Sequence, residues 1–331
     1  MGRGTSRTTS ALGFPGCSIF DITATANISP CGRWPCIVTF GCTVRRDLKR
    51  CRTLRNQPGN GNPDWRRLFS FQRFPESFLE NIAVFAATPW EFNAIGRALP
   101  ASRVERINGV KWRQWANASR FVAVIQTGIG LVNARAACEA VCQKRPWTVF
   151  ISSGFAGALV PSRIGDVVIP EQVVCADSSL TGSVPGSSIV CSASYRQQAY
   201  KAAQLAGNAV LSGRLVTVGS IVWLTRDKLA IGRTFESSSL DMESAAIGSM
   251  AALHGIPFCV TRSVSDRLEE DLPFDLNLFR RAGTFAQGVW AVAATPGKWS
   301  GFNQLRRQKN VASARLSQFF EIFFSMTENS P

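Results

Sequence analysis

The chain has 331 residues, 45% of them apolar and 18% charged, with 37 Lys and Arg against 22 Asp and Glu and a formal net charge of +15. That apolar content excludes a disordered or fibrous protein and suffices for one large or two modest cored domains. No apolar run approaches the ~18 residues of a membrane-spanning helix, and Met1 to Phe20 lacks the apolar core of a signal peptide, so a cytoplasmic protein is expected.

The first 79 residues alternate Gly, Pro, Ser, Arg and Cys with no period of 2 or 3.6, and they hold a basic crowd from Arg45 to Arg73 together with five of the ten cysteines. A disordered leader is expected there; the alternative is a basic arm for nucleic acid, although aromatics interleave with its charges only near its end. The other cysteines are scattered through apolar segments, as small core residues are. No CxxC pair occurs and His254 is the only histidine, which speaks against a zinc site and leaves little scope for histidine general-base chemistry.

At Asn81 the texture changes. "NIAVFAA" is a continuous apolar run, closed by a Thr-Pro turn and followed by the helical pattern "WEFNAIGRAL". Further buried strands are predicted at 120–128, 148–157, 165–174, 213–222 and 257–266, and helices at 133–143, 195–206, 226–231, 242–254 and 276–294. Strands apolar on both faces that alternate with amphipathic helices predict a single layered α/β domain over 80–295. In the tail, 296–331, Val311, Leu316, Phe319, Phe320 and Phe323 fall roughly on one helical face behind a basic cluster. That face suits packing on the domain or on a second subunit, or else contact with a membrane surface.

"TGIGLVNA" (127–134) follows a strand and opens a helix, but Asn133 stands where a dinucleotide fingerprint needs its third glycine. "SSGFAGAL" (152–159) is a second small-residue turn whose backbone allows close approach. Asp241, Glu243 and Asp266 sit at the edges of very apolar elements, where a carboxylate costs several kcal/mol unless it is paired or used.

Five segments in order, "AATPWEF", "TGIGLVNA", "SSGFAGALVPSRIGDVVIPEQV", "DMESAAIG" and "PFCVTRSVSD", resemble the purine nucleoside phosphorylase and nucleosidase superfamily, in the branch of methylthioadenosine nucleosidase and futalosine hydrolase. Within it, "LDMESAAIG" and "VSDRLEEDLPFDL", followed by a basic helical tail, look most like the hopanoid-associated phosphorylases, which act on an adenosyl lipid. The resemblance runs from Asn81 to about Trp290. It implies a central mixed, largely parallel sheet flanked by helices in three layers, a homo-oligomer, and cleavage of the N-glycosidic bond of a purine nucleoside or adenosyl conjugate. No metal and no organic cofactor are implied; phosphate is a possible co-substrate.

By the same resemblance Glu243 takes the ribose diol, Met242 packs on the sugar, and Asp266, with Ser265 beside it, serves purine N7. An ionised carboxylate suits a diol because it accepts two hydrogen bonds at once, and a buried carboxylic acid of raised pKa suits protonation of a departing base. Glu91 corresponds to the carboxylate that activates water, Gly154 and Phe155 of the small-residue turn are candidate substrate-binding residues, and Trp223 is a candidate to stack on the base. Simpler roles stand beside these: a helix-start acid, which fits Asp241 better than Glu243, a strand-end turn aspartate for Asp266, and an exposed first-turn acid for Glu91. Phosphorylases of the superfamily hold phosphate with an arginine and a serine where this chain has Ser152 and Phe155, which puts phosphate in doubt as the nucleophile. A non-catalytic purine-nucleoside-binding module and a nucleic-acid-binding protein acting through the leader are the other classes.

Overall fold

The computed structural model describes residues 80–176, 188–272 and 299–326; the leader and the helix expected at 276–294 lie outside them. Strand β1 (Glu80–Ala86) is buried along its whole length and runs parallel to β4 (Arg120–Gln126) on one edge and to β5 (Val149–Ala158) on the other. A strand paired on both edges and covered on both faces has no solvent side, which is why "NIAVFA" is apolar without alternation.

Strand β12 (Phe258–Asp266) lies parallel to the second edge of β5, and β11 (Ser239–Asp241) meets the end of β5 antiparallel. Beyond β11 come β10 (Arg214–Thr217) and β7 (Gln172–Cys175), both parallel, then β8 (Ser188–Val190), antiparallel at the edge. On the far side, β2 (Arg103–Ile107) and β3 (Val110–Ala116) form a hairpin joined to β4. Its turn places Asn108 and Gly109 at φ 50° and 81°, the positive values an Asn-Gly hairpin turn requires. Short β6 (Val167–Val168) and β9 (Val210–Leu211) pair beside β12.

The strand expected at 165–174 is thus two short ones separated by Pro170, which cannot donate to a ladder. The one expected at 213–222 ends at Thr217, and residues 218–224 leave the sheet as a loop. The hairpin over 103–116 was not among the expected elements.

Helices cover both faces. Ala83 and Phe85 of β1 pack toward α2 (Leu131–Val141) and α5 (Ser244–Leu253), in a cluster that includes Cys138, Phe150, Ala245 and Met250. Ile82 and Val84, pointing the other way, pack with α1 (Pro89–Arg97), α3 (Ala193–Leu205) and α6 (Trp299–Ser325). Leu316, Phe319, Phe320, Phe323 and Phe324 of α6 are buried in that cluster. Of the five tail residues expected on one apolar face, Leu316, Phe319, Phe320 and Phe323 are therefore taken up by the domain's own core, and Val311 is exposed. Among the described residues no helix is long and apolar enough to cross a bilayer. Helix α4 (Thr225–Phe235) lies beside a third, smaller cluster around Leu159, Val216 and Met242.

Candidate active site

The turn after β1 is set by local helix chemistry. Thr88 caps α1, Pro89 follows, and Glu91 closes a reciprocal capping box: its Oε2 accepts from Thr88 N at 2.6 Å and from Thr88 Oγ1 at 2.7 Å. Such a glutamate is ordinarily exposed. Here it is 3% exposed, because its Oε1 reaches across to accept from Phe155 N of β5 at 2.7 Å. Gly154 makes that approach possible. It has φ 141°, and a Cβ there would lie 2.3 Å from Glu91 Oε1.

A second network surrounds Arg262, a fully buried residue of β12. Its Nη1 donates to Phe155 O at 2.9 Å, and its Nη2 donates to Ser152 Oγ at 2.9 Å and lies 2.5 Å from Asp241 Oδ2 and 3.4 Å from Glu243 Oε2. A buried charge needs this company. Asp241 also accepts from Thr217 Oγ1 at 2.6 Å and from Ser244 N at 2.9 Å, so it holds the start of α5, the structural role its position suggested. Ser152, at the arginine position of the phosphorylases, is thus engaged by Arg262 and by Ser244 Oγ at 2.8 Å.

Glu243 ends the same network. Its Oε1 accepts from Gly130 N at 2.9 Å, which uses the backbone of the "TGIG" turn, where Gly128 and Gly130 have φ 85° and 95°. Burial pushes the Glu243 carboxyl up to about 7; Arg262 and the Gly130 N–H pull it down, while Asp241 and Glu91 add to the rise. Met242 beside it is buried.

Asp266 lies at the carboxyl end of β12. Ser265 Oγ donates to its Oδ1 at 2.9 Å, and Lys228 Nζ of α4 lies 2.8 Å from its Oδ2. The Asp266 carboxylate therefore has an ammonium partner that the sequence did not single out. A side chain on Gly157 would crowd it, with Cβ 2.9 Å from Oδ2.

Glu91, Phe155, Met242, Glu243, Ser265 and Asp266 line one cavity, together with Ile129, Ile221, Val222, Leu272, Leu305 and Lys309. Gly154 is not among the residues that line it. Trp223 does not line it: its neighbours Ile221 and Val222 do, and the Trp223 carbonyl accepts from Leu272 N at 2.8 Å. Three charged residues join the site that the sequence did not single out. Arg262 had a readable signal, a lone cation inside the apolar strand "PFCVTRSVSD" that a core must pair. Lys228 and Lys309 sit in amphipathic helices, where lysine ordinarily means a solvated face. The Lys309 ammonium stacks 4.7 Å from the Trp90 ring centroid, and burial lowers its pKa against the pull of Glu91 and Asp266. Among the described residues no group of three or more His, Cys, Asp or Glu is placed to hold a metal.

Curated relatives align over the same region. The 5'-methylthioadenosine/S-adenosylhomocysteine nucleosidase of Listeria monocytogenes is 26% identical over 217 residues, covering 60% of this chain and 91% of its own. That of Shewanella baltica is 28% identical over 209 residues, covering 60% and 89%. Among solved structures, a mutant of the futalosine hydrolase of Helicobacter pylori superposes with a TM-score of 0.60 at 17% identity, covering 75% of this chain and 100% of that one. The 5'-methylthioadenosine/S-adenosyl homocysteine nucleosidase of the same organism gives 0.60 at 18%, covering 75% and 99%. The phosphorylase superfamily model matches residues 81–292, and with the sheet and cavity described above it establishes that the chain belongs to the phosphorylase superfamily, as an enzyme of the nucleosidase and phosphorylase type.

Proposed function

We propose that the protein hydrolyses the N-glycosidic bond of a 5′-substituted adenosine or related purine nucleoside. The observation that carries this is that Glu91, Glu243 and Asp266, carboxylates from separate segments, line one cavity, with Asp241 beside Glu243. Glu243 accepts the ribose 2′- and 3′-hydroxyls, and Asp266 with Ser265 faces purine N7. As the C1′–N9 bond breaks, its electron pair passes to the base and N7 takes a proton on the Asp266 side. Water bonds to C1′ and gives a proton to Glu91, so the products are the free base and the free sugar. Two carboxylates on either side of an oxocarbenium-like centre follow the logic of glycoside hydrolysis.

Water is favoured over phosphate by charge. Arg262, the cation nearest the turn, is already shared among Asp241, Glu243, Ser152 and Phe155 O, and the Glu91 carboxylate opposes a second anion in that corner. The remaining wall, with Ile129, Ile221, Val222, Leu272 and Leu305, suits an apolar 5′ substituent, from a methylthio group to the adenosyl lipid of the hopanoid-associated enzymes.

The test is base release from methylthioadenosine, adenosine and inosine with and without inorganic phosphate. Methylthioadenosine should be turned over at a rate indifferent to phosphate, yielding a reducing sugar. Phosphate-dependent turnover that yields a sugar 1-phosphate would overturn the hydrolytic step, and no base release from any of the three would overturn the substrate class.

A further inference from the structure

Lys228 is a residue that hydrolysis as described above does not use. It is completely buried, although it sits in the amphipathic helix α4 among exposed neighbours. Its ammonium has three protons and three partners: Asp266 Oδ2 at 2.8 Å, Arg267 O at 2.7 Å and Glu270 O at 3.3 Å. All three acceptors belong to residues 266–270, the segment that leaves β12. The Asp266 carboxylate thus stands between two donors, with Ser265 Oγ on Oδ1 and Lys228 on Oδ2, and retains 15% exposure toward the cavity.

A carboxylate so placed accepts hydrogen bonds from both sides, while N7 of the departing base needs a proton. Resting on the hydrolysis proposed above, we propose that Lys228 is the store of that proton and that Asp266 is the path by which it reaches the base. One Lys228 N–H proton moves to the Asp266 carboxylate and from there to N7, so Lys228 ends as a neutral amine and Asp266 as the carboxylate it was. The C1′–N9 electron pair ends on the base. The proton that water gives to Glu91 is lost to solvent, and Lys228 regains one from solvent after the products leave, so the cycle balances.

Lysine suits this task where arginine does not, because a guanidinium would hold the carboxylate equally well but would not release a proton. The surrounding charges are mostly paired elsewhere. On the segment after β12, Glu270 is bonded to Arg267 and to Gln308, and Asp271 accepts from Thr225 N at 2.6 Å. On α4, Arg226 and Asp227 pair with each other at the surface. On α6, Lys309 faces Asp266 from the cavity side.

The test compares two leaving groups in the full-length protein. Methylthioadenosine needs the N7 proton; 4-nitrophenyl riboside leaves as a stable phenolate and does not. Lys228→Met is expected to lower kcat on methylthioadenosine by about 100-fold or more, with KM and the 4-nitrophenyl rate each within about 3-fold of the parent. Its residual methylthioadenosine rate should climb as pH falls, since Asp266 must then draw its proton from solvent. Lys228→Arg should melt like the parent yet share the loss. The ratio of the two substrates is internal to each variant, so a reduced folded fraction cancels. Equal loss on both substrates would make Lys228 structural, and full activity in Lys228→Arg would reduce its role to charge; either result overturns the proposal. Asp266→Asn separates the levels: if it retains methylthioadenosine turnover, the base-side chemistry itself is wrong, and if it fails while Lys228→Met does not, only the role of Lys228 falls.

Discussion

Glu91 and Phe155 are joined by a 2.7 Å hydrogen bond that runs from the first turn of α1 to the middle of β5, and the bond fits only because Gly154 has no side chain. Gly154→Ala should therefore act on Glu91 first. A methyl 2.3 Å from Oε1 must displace the carboxylate, and the φ of 141° adds strain for any L side chain. We expect kcat on methylthioadenosine to fall by about 100-fold while ribose affinity stays within about 3-fold, because Glu243 is held by other partners. Steady-state kinetics decide this. A variant with parental kcat would mean that Glu91 need not be held where it stands.

The buried Glu243 gives the protein a pH signature. Its folded pKa of about 7 lies above the ordinary 4.5, so the native state binds this proton more tightly than the unfolded chain does. The stability that protonated Glu243 contributes is full below about pH 4.5 and is lost as pH rises through about 7. Nucleoside binding runs the other way: a ribose diol donates to the ionised carboxylate, so affinity should increase as pH rises through about 7, and binding at about pH 6.5 should release a proton. Calorimetry in two buffers of different ionisation enthalpy measures that release, and Glu243→Gln should abolish it. Binding without proton release in the parent would remove Glu243 from the sugar.

Arg262→Met leaves Asp241 and Glu243 buried without their cation. Breaking such a pair costs about 3–5 kcal/mol, which for a domain of this size lowers Tm by roughly 10 °C. Adding Asp241→Asn should recover part of that loss by removing one stranded charge, whereas independent effects would simply add. Thermal melts of the single and double variants make the comparison.

Much of this was legible in the residues and some was not, for physical reasons. "NIAVFAA" announced a central strand because burial on both faces leaves no other composition, and the cavity brings together Glu91, Glu243 and Asp266, which stand in quotable motifs. The hairpin over 103–116 carried a readable signal, Asn108-Gly109 between alternating residues. Lys228 carried none, because an amphipathic helix shows which residues are apolar but not which polar one the tertiary fold will swallow. Trp223 illustrates the converse: the loop 218–224 turns Ile221 and Val222 to the cavity, a choice made by the path of the backbone after β10.

Strand β1 also locates the edge of what the domain needs. Glu80 pairs with Arg120 at 2.7 Å and accepts from Tyr195 Oη at 3.1 Å, and every residue from Ile82 to Ala86 is paired on both sides. A chain that begins at Glu80 should melt cooperatively and release base at the parental rate. One that begins at Ala86 loses the strand between β4 and β5 and should not fold. Circular dichroism melts of the two check this, and loss of cooperative melting in the longer one would show that the domain depends on residues before Glu80.

The phenylalanines of α6 belong to the core that this helix builds with β12, α1 and α3, and Arg120 Nη1 fastens the end of that helix by donating to Met326 O at 2.7 Å, close to the Phe323 and Phe324 carbonyls. On the ribosome these partners are made far apart in time. Until α6 is made and docks, the apolar surfaces of β12, α1 and α3 that it covers stay open on the nascent chain. Because α6 also supplies Leu305 and Lys309 to the cavity, a nascent chain has no finished pocket before that helix docks, and any premature stop upstream of it yields an exposed core for proteolysis in place of a weakened enzyme.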